Sequence, residues 1–224
     1  MGGERRIPST AAAAARQAQA NLNSALTHED PNLSPAGLAT ERETRLARAK
    51  QTAAATLNQH RDFATATRNN LHRLVDAHRP KITDRAESAA AWQRVRMFLD
   101  NGHSFAAIFP KTDLQMALAI EENGPLWLQA QATPGRAWPM QAVDQLQART
   151  VERIAELTPD PQAADLIRLS VQADDALAAA EPWWDLMAGV ATGRTDGQLQ
   201  AAAASRMIEQ RAAIRNAPDE AAVA

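Results

Sequence analysis

The sequence predicts an all-α protein: a long N-terminal helical arm followed by a multi-helix globular bundle. Three observations predict it. Good helix formers (alanine, arginine, glutamine, leucine, glutamate) fill the chain, and 51 of its 224 residues are alanine. β-Branched and aromatic residues are sparse and no run alternates with period two, so strands have little support. Proline and glycine fall between stretches of apolar residues spaced by threes and fours, which marks helix boundaries.

The first helix is predicted over 9–27, with Ser9 or Thr10 placed to cap it. The run Ala11 to Ala15 has high propensity, but Leu22 and Leu26 are the only large apolar residues. Such a helix is marginal alone and is expected to fray or to order only against a partner. The stretch from His28 to Pro35 holds two prolines with Asp30 and Asn32 and reads as a linker. Ser34 followed by Pro35 is a helix start: the hydroxyl caps, and proline in the first turn loses no hydrogen bond.

From Pro35 to His78 there is no further proline, and the only glycine is Gly37. A helix of that length is a rod of roughly 65 Å. Pro80 ends it, because the residue before proline avoids the α region. Its apolar stripe is Leu38, Leu46, Ala49, Ala53, Leu57, Phe63, Ala64, Thr67, Leu71, Leu74 and Val75. That is a narrow, coiled-coil-like seam, which needs a second copy, another protein or the chain's own C-terminal half beside it.

A denser region follows. Asp84 with Glu87 has capping-box spacing, and Trp92, Val95, Phe98 and Leu99 share a face before Gly102. A short turn holds Phe105, Ile108 and Phe109. Asp113 caps a helix through Ile120 that is expected to stop near Gly124, with Pro125 opening a separate segment. All four phenylalanines and two of five tryptophans lie within 63–128, so the core is expected there. Residues 133–136 read as a turn, Pro139 as a helix start, and 158–161 as a hinge. A helix over 162–180 is expected, then a short one opened by Pro182, Trp183 and Trp184. A last helix is predicted over 196–215. The domain reading is therefore 1–33, helix and linker; 34–80, arm; 81–216, helical core; 217–224, loose tail.

Composition narrows the chemistry. No cysteine is present, so disulfides, thiolate zinc sites and cysteine nucleophiles are excluded. No window approaches 18 large apolar residues, and the N-terminus lacks an apolar signal region, so neither membrane insertion nor secretion is expected. Net charge is −2, but it is unevenly spread. Residues 1–99 carry a net +6 and residues 100–200 a net −8. The halves are thus placed to meet different surfaces, or each other across neighbouring copies. Of the 24 basic residues 21 are arginine, which together with the alanine excess points to GC-rich coding.

His72 and Asp76 have metal-ligand spacing but no third ligand, so no metal and no cofactor is expected. Ser104 beside His103 lacks a nucleophile elbow. The turn from Gly193 to Gly197 lacks the lysine of a phosphate loop. Glu121-Glu122, Asp174-Asp175 and Glu152/Glu156 read as solvated faces rather than catalytic carboxylates. Two features read as partner surfaces. One is the arginine row Arg42, Arg45 and Arg48, continued by Arg61 and Arg68. It is suited to an acidic protein surface or, as the alternative function, to nucleic acid. The other is Trp183-Trp184, whose side chains diverge by about 100° on a helix: either one lies in the core and the other at an interface, or both are partly buried in a helical corner.

The segment from Asp30 through Pro31, Asn32, Leu33, Ser34, Pro35, Ala36, Gly37, Leu38 and Ala39, running into the arginine-rich helix, resembles structural-gene products of phages that infect high-GC Gram-positive bacteria. Ala91 to Arg96 with Leu99, Asp100, Asn101 and Gly102 has a similar character. The resemblance spans 30–130 and carries no catalytic residue. It implies a virion or virion-assembly component: no enzyme, assembled in a host cytoplasm, oligomeric or bound to an assembly, with other virion proteins or its own copies as partners.

Overall fold

The computed structural model describes residues 6–131 and 140–215. Among them are eight α-helices, one 3-10 turn and no strand. The helices are α1 (Arg6–Leu26), α2 (Pro35–His78), α3 (Arg85–Asp100), α4 (Phe105–Ile108), α5 (Leu114–Ala130), α6 (Met140–Leu157), α7 (Pro161–Ala191) and α8 (Gln198–Arg215); the 3-10 turn is Phe109–Lys111. The expected turn at 133–136, Pro139 and the tail 217–224 lie outside the described residues.

Local chemistry sets several of the ends. The Ser34 hydroxyl accepts from the Gly37 N–H at 3.1 Å and opens α2 where expected. Asp84 caps α3 through the Ala86 N–H, Ser104 caps α4 through Ala107, and Asp113 caps α5 through Met116. Gly102 takes a φ of 84° after α3, a left-handed position suited to glycine.

Two helices run through prolines where the sequence predicted breaks. α5 continues across Gly124 and Pro125, and α7 across Pro182. An internal proline costs about 3 kcal/mol. The burial of Leu128 downstream of Pro125, and of Trp183, Trp184, Leu186, Met187 and Val190 downstream of Pro182, offsets it. Gly124 is not a stop signal either. A Cβ there would lie 2.9 Å from the Leu146 Cδ2, so glycine lets α6 approach α5.

The chain forms two compact units. One gathers residues 1–70 and 172–212, the other 71–171 and 213–224. The three boundaries fall within helices α2, α7 and α8.

In the first unit, α1 lays Ala11, Ala15, Ala18, Leu22 and Ala25 along one stripe, all buried. They share a cluster with Ala49, Ala53, Leu57 and Ala64 of α2, the tryptophan-bearing turn of α7, and Ala201 of α8. This differs from the frayed α1 expected from its composition. A buried methyl contributes only about 0.8 kcal/mol against about 1.5–3 for a leucine. Small side chains, however, let helix axes approach closely, and the tryptophans supply the bulk that α1 lacks. The seam of α2 is covered within its own chain at Ala49, Ala53, Leu57 and Ala64, while Phe63, Thr67 and Leu74 of the same stripe are exposed.

The second unit holds two clusters. One joins Val95 and Leu99 of α3, Ile108 of α4, Met116, Ile120 and Leu128 of α5, and Leu146 of α6. The other joins Val75, Ala117, Ile154, Ala155 and Ile167. The phenylalanine-rich region is thus part of a core, but Phe63 is not: it is 69% exposed. Apart from Ala64, the alanine–tryptophan cluster lies outside the span where the core was expected.

Candidate functional site

The sharpest arrangement of side chains lies along α2 and α7 in the first unit. Position 61 on α2 meets 181 on α7, and 68 meets 174, so one index falls by seven as the other rises by seven. That is the register of antiparallel neighbours. The Arg68 Nε donates to Asp174 Oδ1 at 2.7 Å. The Arg61 guanidinium donates to Glu181 Oε2 at 3.3 Å and to Asp185 Oδ1 at 3.4 Å. Two arginines of the basic N-terminal half thus meet three carboxylates of the acidic half within one molecule along this ladder.

Trp183 and Trp184 lie beneath it, each only 4% exposed. Of the two arrangements the sequence left open, the structure has both rings buried and neither exposed. Their divergence serves two different neighbours. Arg16 of α1 lies over the Trp183 ring, its Cζ 5.1 Å from the centroid, and Arg61 of α2 lies over the Trp184 ring at 5.8 Å. The Trp184 indole N–H is buried without a hydrogen-bond partner among the described residues.

The remaining arginines of the row do not converge on this place. The Arg42 Nε donates to the His28 carbonyl at 2.6 Å and pins the linker to α2. Arg45 pairs with Glu41 one turn away at 2.7 Å. Arg48 is exposed. Four of the five predicted arginines thus engage groups of their own chain. Sequence reasoning missed Arg16, Glu181 and Asp185. The signal was present as carboxylates at 174, 181 and 185, a spacing of seven and four that matches arginines seven apart on α2.

The candidate carboxylate pairs are ion-paired or hydrogen-bonded structural groups. Glu121 pairs with Arg79, and Glu122 accepts from the Ser88 hydroxyl at 2.8 Å. Glu152 pairs with Arg168 at 3.0 Å, and Glu156 with Arg153 at 2.8 Å. Ser104 acts as a helix cap, and His103 stacks edge-on against Phe98. Among the described residues no group of three or more acidic or histidine side chains is placed to hold a metal. None of the described helices is long and apolar enough to cross a membrane.

The glycine-rich turn between α7 and α8 borders a shallow cleft of about 290 Å³ lined by Pro182, Leu186, Gly189, Arg194, Asp196 and Gln200. Gly193 and Gly197 both take left-handed φ values, of 95° and 106°. A Cβ at Gly193 would lie 2.9 Å from the end of the Lys50 side chain. Gln19 of α1 donates from its amide to the Thr195 carbonyl. The turn is therefore tied to α1 and brought close to α2, as a packed joint between helices.

No protein-family model, curated protein or solved structure matches the chain.

Proposed function

We propose that the chain is a non-enzymatic structural or assembly protein of a phage particle, capsid-associated or scaffold-like, acting through helix-mediated contacts with other virion proteins or with its own copies. The observation that carries this reading is the set of large apolar side chains that the helices hold in water. Phe63 stands exposed among Asp62, Ala66 and Thr67 on α2, and Met97, Leu126, Leu199 and Met207 are exposed on α3, α5 and α8. Apolar side chains presented on helices are what protein interfaces recruit. The resemblance of residues 30–130 to phage structural proteins supplies the virion context.

The α2 seam supports the reading only through its exposed members Phe63 and Leu74, because Ala49, Ala53, Leu57 and Ala64 pack within the chain. The arginine row does not favour nucleic acid, since Arg42, Arg45, Arg61 and Arg68 are engaged within the chain. A polyanion would have to displace those partners before releasing its own counterions.

The test is direct. Particles of a phage encoding this chain, purified by density gradient, should contain it at many copies by quantitative mass spectrometry. Phe63→Glu should reduce its incorporation. Absence from both mature particles and assembly intermediates contradicts the proposal.

A further inference from the structure

The cleft between α7 and α8 carries charged groups that the packing of the helices does not use. Its floor is apolar and fixed. Leu186 and Ala201 are buried members of the alanine–tryptophan cluster, and Pro182 lies beside them. Its rim holds Asp185 of α7 together with Arg194 and Asp196 of the turn. Arg194 and Asp196 are opposite in charge and two residues apart, yet they do not pair. Neither the Arg194 guanidinium nor the Asp196 carboxylate makes a hydrogen bond or ion pair with any described residue. Asp185 meets Arg61 at 3.4 Å, longer than a strong charge-assisted bond.

The rim is also set in place. A Cβ at Gly189 would lie 3.6 Å from the Arg194 Cβ and 3.7 Å from its Cδ, so the arginine stem runs over the bare backbone of α7. Gln19 holds the Thr195 carbonyl, and the left-handed Gly193 and Gly197 fix the turn on either side of Arg194 and Asp196. A site whose backbone is already ordered gives up little freedom when a ligand arrives.

We propose that this cleft binds a free α-amino acid with an aliphatic side chain. The ligand's ammonium donates to Asp185 and Asp196, its carboxylate accepts from Arg194, and its side chain lies on Pro182, Leu186 and Ala201. The mixed rim selects a zwitterion. A simple anion leaves the two carboxylates unanswered, and a simple cation leaves the guanidinium unanswered. Size points the same way: the cleft measures about 290 Å³, at the lower end of small-molecule sites. Because it is shallow, part of the ligand stays in water, and the dissociation constant is about 0.1–1 mM. The inference goes beyond the assembly reading, since the site lies within one chain and needs no particle.

The test is a titration of the full isotope-labelled chain with L-leucine, followed by amide NMR. Saturable shifts should appear within 182–201, with a dissociation constant of about 0.1–1 mM. Isocaproate, which is leucine without the ammonium, and isopentylamine, which is leucine without the carboxylate, should each bind about tenfold or more weakly. Arg194→Ala and Asp196→Ala should each weaken leucine binding by about tenfold, while Arg48→Ala on α2 should leave it unchanged. Positions 48, 194 and 196 are exposed, and the amide spectrum of each variant reports that it is folded. The proposal is overturned if leucine produces no saturable shift by about 20 mM. It is equally overturned if either analogue binds as tightly as leucine, or if Arg194→Ala binds leucine as the unmodified chain does.

Discussion

Gly124 shows how a single residue is read differently by sequence and by packing. In the sequence it precedes proline and reads as a helix end. In the fold it lies inside α5, against Leu146 of α6. An added methyl must push into a leucine within a packed cluster, which costs about 1–3 kcal/mol. Gly124→Ala should therefore lower stability by that amount in urea unfolding, despite alanine's higher helix propensity. Leu146→Ala in the same chain should make the Gly124→Ala change close to neutral, since the methyl then enters vacated space. Additive losses in the double variant would show that the close approach is not what requires glycine.

Trp183 and Trp184 carry the same lesson. Adjacency on a helix guarantees divergence, and divergence alone does not separate core from surface. The flanking helices decide, and here α1 and α2 each take one ring.

At the scale of elements, alanine seams replace leucine seams in the first unit. Ala15 is fully buried on α1. Ala15→Leu adds apolar area yet should destabilise the protein by about 1–3 kcal/mol, because no space exists for it. Leu22→Ala should cost about 2–5 kcal/mol. Thermal unfolding of both variants checks the pair; a stabilised Ala15→Leu protein contradicts close packing of α1.

The ladder between α2 and α7 behaves differently, since its groups are largely exposed. Each such pair contributes about 0.2–1 kcal/mol. Arg68→Glu should destabilise by roughly 1 kcal/mol at low salt and much less in 1 M NaCl, and the swap Arg68→Glu with Asp174→Arg should recover most of the loss. An equal loss at both salt concentrations would mean that the pair acts through packing instead.

The element order was largely legible. The all-α class, the bounds of α2 and the caps at Ser34, Asp84 and Asp113 follow from local chemistry and appear where expected. The continuity of α5 and α7 across Pro125 and Pro182 was not legible, because it depends on tertiary burial that no local window contains. Nor was the arginine ladder, although a comparison of charge spacing between α2 and α7 would have suggested it.

At the scale of the whole molecule, the charge asymmetry and the thin seam of α2 both find their complements inside the chain. The sequence left the seam open to a second copy, another protein or the chain's own C-terminal half, and the last of these supplies part of it. The acidic residues of α7 answer the arginines of α2, and the stripe of α1 answers its alanines. Among the described residues, large apolar side chains remain outward on α1, α2, α3, α5 and α8 and at Leu33 of the linker. Under the proposed assembly role, these apolar anchors on helices would be the points of contact with other proteins.

Amide hydrogen exchange on the dilute, monomeric chain tests the self-completed seam most directly. The account expects the amides of 11–25 in α1 and 46–64 in α2 to exchange slowly and together, through one cooperative opening. Exchange of α1 at the rate of an unstructured peptide in the monomer, with protection appearing only on adding other proteins or on raising the concentration, would contradict it.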